Sequence, residues 1–575
     1  MSTSLQGGKE SEASLREEGM FRNIQGMSGK KYDVFIIGGG ITGAFIAWDA
    51  SLRGLKVALV DKGDFGAATS AATSKLIHGG LRYLKNLEVG LVRESLQERR
   101  ILEIIAPHLV YPIPFVFPAY GWGMRGLPAV LSAMVAYDTL SYDRKWINDD
   151  DKKIPTHKKL SANEIIERAP ALDPRALKGG ALYYDCQMYS PERLTLEVIC
   201  SANEYGADVA NYAIVEDLII SGDRIEGGRV RDLLNDKLYE LKAEVTVNAA
   251  GPWADLLLGI ARGKRHRGVI RSKGIHIITN LFHKDHAVVL QTKGGRHFFI
   301  MPWREHSLIG TTDEVYKGDP DDFRVSRKDI CDFLDEINQA LPSAELSLSD
   351  ILFHYGGLRP IVERDSSIGA EVSDASRKYE INDHEPEDGI KGFVTAIGGK
   401  YTTSRNMARQ LVDIVCKKLG RGSTLCLTHT TPLCGGEIGR YESFVERAKR
   451  KRPGDLRDRT IEHLCRNYGS RYLDVIGFDQ KKGLDPICDG FPDVWAEIFY
   501  AIHREMSIRL SDVLFRRTGL CTLGNPGGRV IEMVADAMAR ELKWSKSRKR
   551  NEIENVFKSF AIEENYSALP AQAPS

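Results

Sequence analysis

A strand, a cluster of glycines and a helix follow one another over residues 33–53, and no other stretch of this 575-residue chain limits its fold as strongly. Residues 33–37 form an apolar run that stops at Gly38, and small and apolar residues then recur at helical spacing from Ile41 to Arg53. Gly54 closes the helix, and residues 56–60 are a second buried strand ending at Asp61. This is a βαβ unit of about 30 residues. Between strand and helix, Gly38-Gly39-Gly40-Ile41-Thr42-Gly43 has the G-x-G-x-x-G spacing. The first glycine permits a tight turn, the second lets backbone approach a pyrophosphate, and the third lets helix and strand pack closely. The helix N-terminus offers free N–H groups to phosphate, and Asp61 is placed to accept from ribose hydroxyls. A Rossmann-type dinucleotide site is predicted, with Gly38, Gly40, Gly43 and Asp61 as its contacts.

Two distant segments favour FAD over NAD. Residues 245–251 are a strand running into Ala249, Ala250 and Gly251, small enough to pass beside the dinucleotide. Gly398-Gly399-Lys400, with Thr402 and Thr403 opening a helical stretch, is a second strand–glycine–helix junction. Such an N-terminus stabilises negative charge at a flavin's N1–C2=O edge.

Between these segments, residues 180–184, 213–220, 238–247, 269–279, 287–291 and 297–301 read as strands, while 76–118 reads as helical and charged. Beyond Cys426 the texture changes to amphipathic helices at 440–450, 493–505, 507–517 and 528–543. The expected class is α/β. An FAD-binding Rossmann-type domain with an interleaved β-sheet substrate domain spans 31–425, and an α-helical C-terminal domain spans 426–560. Residues 1–30 are expected to be a disordered tail and 561–575 a flexible one.

The net charge of +1, with 27% charged residues, gives no support to a polyanion-binding role, so no nucleic-acid partner is expected. Nine cysteines without a C-x-x-C pair argue against zinc, iron–sulfur clusters and a disulfide framework. No metal is expected, and a reducing cytoplasmic compartment fits. No apolar run approaches the roughly 18 to 20 residues of a spanning helix. Residues 127–137, interrupted by Pro128, are long enough only to lie on a bilayer.

The stretch Ser74-Lys75-Leu76-Ile77-His78-Gly79-Gly80-Leu81-Arg82-Tyr83-Leu84 resembles a signature of the FAD-dependent glycerol-3-phosphate dehydrogenases, a branch of the D-amino-acid-oxidase-like flavoproteins. Gly310-Thr311-Thr312-Asp313, Tyr355 to Pro360 and Gly398 to Thr403 extend the resemblance to about Arg405, and the helical C-terminal part resembles that family's appended domain. Two departures are Asp61, where many relatives carry Glu, and Tyr401, where Leu is frequent. The resemblance implies cofactor contacts from Ser70, Ser74, Lys75, Leu76, Val215, Ala250, Gly251, Gly399 and Thr402. It implies substrate contacts from Arg82, Tyr83, Arg359, Arg377 and Lys400, since guanidinium forks grip a phosphate bidentately. Arg82 and Arg359 share a glycine-flanked setting, Gly80-Leu81-Arg82 and Gly356-Gly357-Leu358-Arg359.

The implied reaction is oxidation of sn-glycerol 3-phosphate to dihydroxyacetone phosphate by hydride transfer to FAD. His78 is the expected base, because imidazole titrates near physiological pH, with His276 and Lys400 in reserve. Arg359 and Lys400 complete the catalytic set. The electrons are expected to pass to a quinone, which implies peripheral contact with the inner membrane surface through residues 121–142 or the basic runs 447–452 and 543–550. The protein is then cytoplasmic or peripheral on the cytoplasmic membrane, and a homodimer is a further expected partner state. A glycerol-3-phosphate oxidase using dioxygen is the near alternative. An amine or amino-acid oxidase, or a flavin-binding scaffold without catalysis, is more distant.

Overall fold

The computed structural model describes residues 19–263, 269–362, 378–422, 424–454, 456–478 and 483–562. Strand Lys31–Ile37 sits in the middle of a sheet, paired in parallel with Val57–Val60 on one side and Lys237–Asn248 on the other. Asp208–Ala210 extends the sheet beyond Val57–Val60. Phe393–Gly398, also parallel, and then antiparallel Tyr379–Asp383 extend it beyond Lys237–Asn248. Parallel central strands are covered on both faces, so both side-chain sets must be apolar. Val34 and Ile36 pack into one core with the helix Ile41–Leu52, while Phe35 and Ile37 pack into a second core behind the sheet.

The chain leaves this sheet and returns to it several times. Its excursions build a second sheet of ten strands, mostly antiparallel, which includes Val110–Tyr120, Leu177–Met188, Val269–Thr279, His297–Trp303 and Phe353–Val362. The two sheets are therefore interleaved in sequence, as expected.

Residues 76–118 are not wholly helical. Strand Leu76–Ile77 pairs with Leu177–Met188, a short turn covers Leu81–Leu84, and the helix is confined to Val89–Ile105. Val110–Tyr120 is a strand carrying Pro112, Pro114 and Pro118, each of which a helix interior would reject. Residues 19–30, expected to belong to a disordered tail over 1–30, are instead ordered. Residues 19–30 pack onto the protein through the short helix Ile24–Ser28, with Met20, Ile24 and Met27 buried. Arg22 forks onto Asp232, and Met20 N donates to Arg504 O at 3.0 Å. These apolar anchors and polar bonds together dock the segment, and residues 1–18 lie outside the described residues.

The C-terminal helices Tyr441–Arg450, Asp458–Tyr468, Trp495–Arg504, Gly528–Glu541 and Lys546–Lys558 bury two apolar clusters of their own. Within the stretch expected as a helix over 507–517, Asp512–Arg517 is a π-helix. Among the described residues no helix is long and apolar enough to cross a membrane.

Candidate active site

Residues of both sheets and of the C-terminal domain line one continuous cavity of about 2140 Å³. Ordinary small-molecule pockets hold about 300–1,000 Å³, so this one has room for a dinucleotide and a small substrate together. Gly38, Gly40, Asp61, Ser70, Val215, Ala250 and Gly251 line its nucleotide end. The helix Ile41–Leu52 opens there, and Ser70 Oγ accepts from Ile41 N at 2.9 Å. Gly39 N and Gly63 N donate to the two oxygens of Asp61 at 2.6 and 2.7 Å. These bonds fix the carboxylate and leave lone pairs for ribose hydroxyls. Gly43 does not line the cavity. A Cβ there would lie 1.9 Å from Gly38 O, so its expected role as a cofactor contact is corrected to one of helix–strand packing. Glycine backbone, helix N-terminus and fixed carboxylate together suit a ribose and a pyrophosphate.

Further along, Ser74, Lys75, Leu76, Gly399 and Thr402 line the cavity from two directions. Thr402 Oγ1 accepts from His78 N at 3.3 Å, joining the two glycine-rich segments. Lys75 turns inward, its Nζ 3.0 Å from Glu192 and over the rings of Trp303 and Tyr355. Ser74 Oγ and His276 Nε2 lie 2.9 Å apart, and Tyr355 stacks on His276 at 4.9 Å. Burial, with Arg359 and Lys75 nearby, drives His276 well below the ordinary imidazole value.

The expected substrate residues converge beyond this point. Gly80 has φ 78°, and a Cβ on it would meet the Tyr83 ring at 2.4 Å and Lys400 Nζ at 2.9 Å. Only glycine permits that conformation and that approach at once. Lys400 Nζ lies 4.3 Å from the Tyr83 ring centroid and donates to Ser95 Oγ at 2.8 Å. Burial, with Arg82 close by, lowers the Lys400 ammonium. Arg82 Nη2 donates to Tyr83 Oη at 3.2 Å. Arg359 donates through Nη2 to Thr311 Oγ1 at 2.6 Å and through Nη1 to Ser272 Oγ at 3.2 Å, with Asp313 at 3.4 Å. His78 is half-buried in the same wall, its pKa lowered to about 3 by burial and by Lys400, Arg82 and Arg99. His78, Arg82, Tyr83, Arg359 and Lys400 thus share one cavity. Arg377 lies outside the described residues.

Three features of the wall are additions to the sequence reading. Arg296 lines the cavity and donates to Thr311 O and Glu336. Its setting, Gly294-Gly295-Arg296, also puts a glycine pair shortly before an arginine, without the intervening leucine of Arg82 and Arg359, and is a signal visible in the sequence. Glu192, the buried partner of Lys75, lies in the helix Pro191–Glu204, where nothing in its local pattern marks it. Phe515 and Arg516 reach the cavity from the C-terminal domain.

Residues 33–409 match the family described as FAD dependent oxidoreductase, and residues 426–549 match the C-terminal domain of alpha-glycerophosphate oxidase. The chain is 35% identical over 522 residues to a glycerol-3-phosphate dehydrogenase of Synechocystis sp., covering 88% of this chain and 92% of that one. It is 33% identical over 551 residues to an aerobic glycerol-3-phosphate dehydrogenase of Bacillus subtilis, covering 93% and 96%. In three dimensions it is similar to a glycerol-3-phosphate dehydrogenase from Bacillus halodurans solved in complex with FAD, with a TM-score of 0.76 and 28% identity over 94% of this chain and 96% of that one. A dinucleotide cradle of this shape, a cation-lined substrate end and near full-length similarity agree: the chain belongs to the FAD-dependent oxidoreductases, in the branch of the glycerol-3-phosphate dehydrogenases.

Proposed function

We propose that the chain oxidises sn-glycerol 3-phosphate to dihydroxyacetone phosphate and passes the electrons to a quinone at a membrane surface. The observation that carries the substrate reading is the convergence of Arg82, Arg359 and Lys400 beside a neutral imidazole, His78, in the wall of one cavity. Bound FAD supplies the hydride acceptor. Arg82 and Lys400 receive the phosphate dianion, and Arg359, steadied by Thr311 and Ser272, offers a second guanidinium. Tyr83, itself buried, excludes water from the Lys400 side. His78 takes the proton of the substrate hydroxyl. Burial depresses its basicity in the free site, and the field of Lys400 and Arg82 adds to that; a bound dianion offsets the field though not the burial, so His78 becomes a stronger base once substrate is seated.

The quinone reading is supported by the surface beside the cavity. Leu87, 83% exposed, and Val89, also exposed, line the cavity, and Trp122, 85% exposed, and Val135 stand out on the neighbouring segment and helix. The basic runs supply less, because Lys449, Arg452 and Lys549 already have carboxylate partners. An exposed apolar edge next to a substrate cavity suits an acceptor dissolved in lipid. The test is turnover of glycerol 3-phosphate with a short-chain quinone or with dioxygen as the sole acceptor. Quinone reduction well above peroxide formation is expected, and peroxide released at the rate of substrate oxidation in the presence of quinone would favour the oxidase instead.

A further inference from the structure

The C-terminal domain reaches the nucleotide end of the cavity through one buried ion cluster. Asp64 lies in the loop after strand Val57–Val60, and its side chain is 0% exposed. Arg517 donates to it through Nη1 at 2.7 Å and Nη2 at 3.0 Å, and Arg516 Nε donates at 2.6 Å. Asn211 Nδ2 adds a fourth bond at 3.0 Å, so the lone pairs of the carboxylate are all engaged. Burial opposes the charge, yet Arg517 and Arg516 hold Asp64 well below the usual carboxylate range. Behind them, Arg516 Nη2 also donates to Asp512 at 2.6 Å, Tyr212 Oη donates to Asp512, and Arg517 Nη2 donates to Glu505 O at 2.9 Å. Both arginines are the last residues of the π-helix Asp512–Arg517, a form that recurs at functional sites.

The loop they grip is the one that shapes the dinucleotide turn. Asp61 accepts from Gly39 N, and Gly66 N donates to Gly39 O at 3.0 Å. Between them the Phe65 ring packs on the turn, 2.7 Å from where a Cβ on Gly39 would stand. Tyr212 N donates to Gly63 O at 2.9 Å, which ties in the strand start that carries Ala213 and Val215 along the cavity. A continuous set of bonds therefore runs from Arg516 and Arg517 through Asp64 and residues 61–66 to the backbone that would hold the pyrophosphate of a bound dinucleotide.

We propose that Arg516 and Arg517 are positioning residues for the cofactor: by fixing Asp64 they hold residues 61–66 against Gly39, and the C-terminal domain thereby sets how tightly FAD is retained. The proposal rests on FAD as cofactor, a reading that is independent of Arg516, since one flavin per chain in purified wild-type protein would establish it separately. The experiment measures the FAD dissociation constant of full-length protein, stripped of flavin and titrated with FAD, at a temperature where melting curves show every variant folded. Arg516→Gln removes one arm and leaves the Arg517–Asp64 pair in place. Arg516→Lys keeps a cation and serves as the rescue. Arg466→Met is the comparator, because Arg466 joins the same domain to His108 O and the Tyr111 ring without touching residues 61–66. The expected result is an FAD dissociation constant raised about 10-fold in Arg516→Gln, a smaller rise in Arg516→Lys, and a change within about 2-fold in Arg466→Met. An unchanged constant in Arg516→Gln, or an equal rise in Arg466→Met, overturns the proposal. Should Arg516→Gln not be recovered folded, Arg516→Lys against Arg466→Met decides the matter in the same way.

Discussion

Lys400, Arg82 and Arg359 share a wall with an imidazole that burial, and then the charges of Lys400, Arg82 and Arg99, keep neutral, and that arrangement sets how each residue responds to change. The fork of Arg359 is oriented by Thr311, Ser272 and Asp313, so Arg359→Lys retains charge and loses the planar grip. Steady-state kinetics on Arg359→Lys and Arg82→Met are expected to show kcat/KM for glycerol 3-phosphate reduced by about 10- to 100-fold, mostly through KM, as for loss of a charge-assisted phosphate contact. His78 carries a pH consequence. Its folded pKa is depressed to about 3 against an ordinary value of 6.5, so the folded state favours the neutral ring, and that preference is lost only as pH falls from 6.5 through about 3. In substrate-free protein, NMR of ring-labelled histidine, with His78→Asn to assign the signal, is expected to show His78 neutral at pH 6.5. A midpoint near 6.5 for that signal would contradict the electrostatics described.

At the level of elements, the βαβ unit binds because its helix and strand touch, and Gly43 is where they touch. With a Cβ there 1.9 Å from Gly38 O, Gly43→Ala has to open the turn. Flavin content per chain is expected to fall several-fold in that variant while circular dichroism stays near that of the unaltered protein; full flavin content would count against the packing role. This unit was legible in the sequence because its signals are local: an apolar run, a glycine turn and a terminal carboxylate within thirty residues or so. Val269–Thr279 and Ala287–Gln291 were legible for the same reason, as β-rich runs bounded by polar residues. Residues 76–118 read as helical throughout because the charged helix Val89–Ile105 dominates the pattern and hides two strands whose partners lie in the distant strand Leu177–Met188. The site divides likewise. Arg82 and Arg359 are visible through their flanking glycines, whereas Glu192 and Arg516 belong to it only through tertiary contacts.

On the scale of the whole molecule, one cavity receives walls from both sheets and the helical domain, and the exposed side chains of Leu87 and Val89 are part of its lining. If that edge meets a bilayer, the double substitution Leu87→Ser with Trp122→Ser should lower co-sedimentation with vesicles of mixed neutral and anionic phospholipid by about 10-fold, since each side chain loses most of its apolar transfer energy. Equal sedimentation of the double variant and the parent would move the contact elsewhere. Each of these roles depends on glycerol 3-phosphate giving up its electrons to the flavin in this cavity. Addition of glycerol 3-phosphate to the flavin-loaded protein without oxygen tests that directly. Bleaching of the oxidised flavin absorbance, with one dihydroxyacetone phosphate formed per flavin, is expected; a flavin spectrum that stays oxidised at saturating substrate would contradict it.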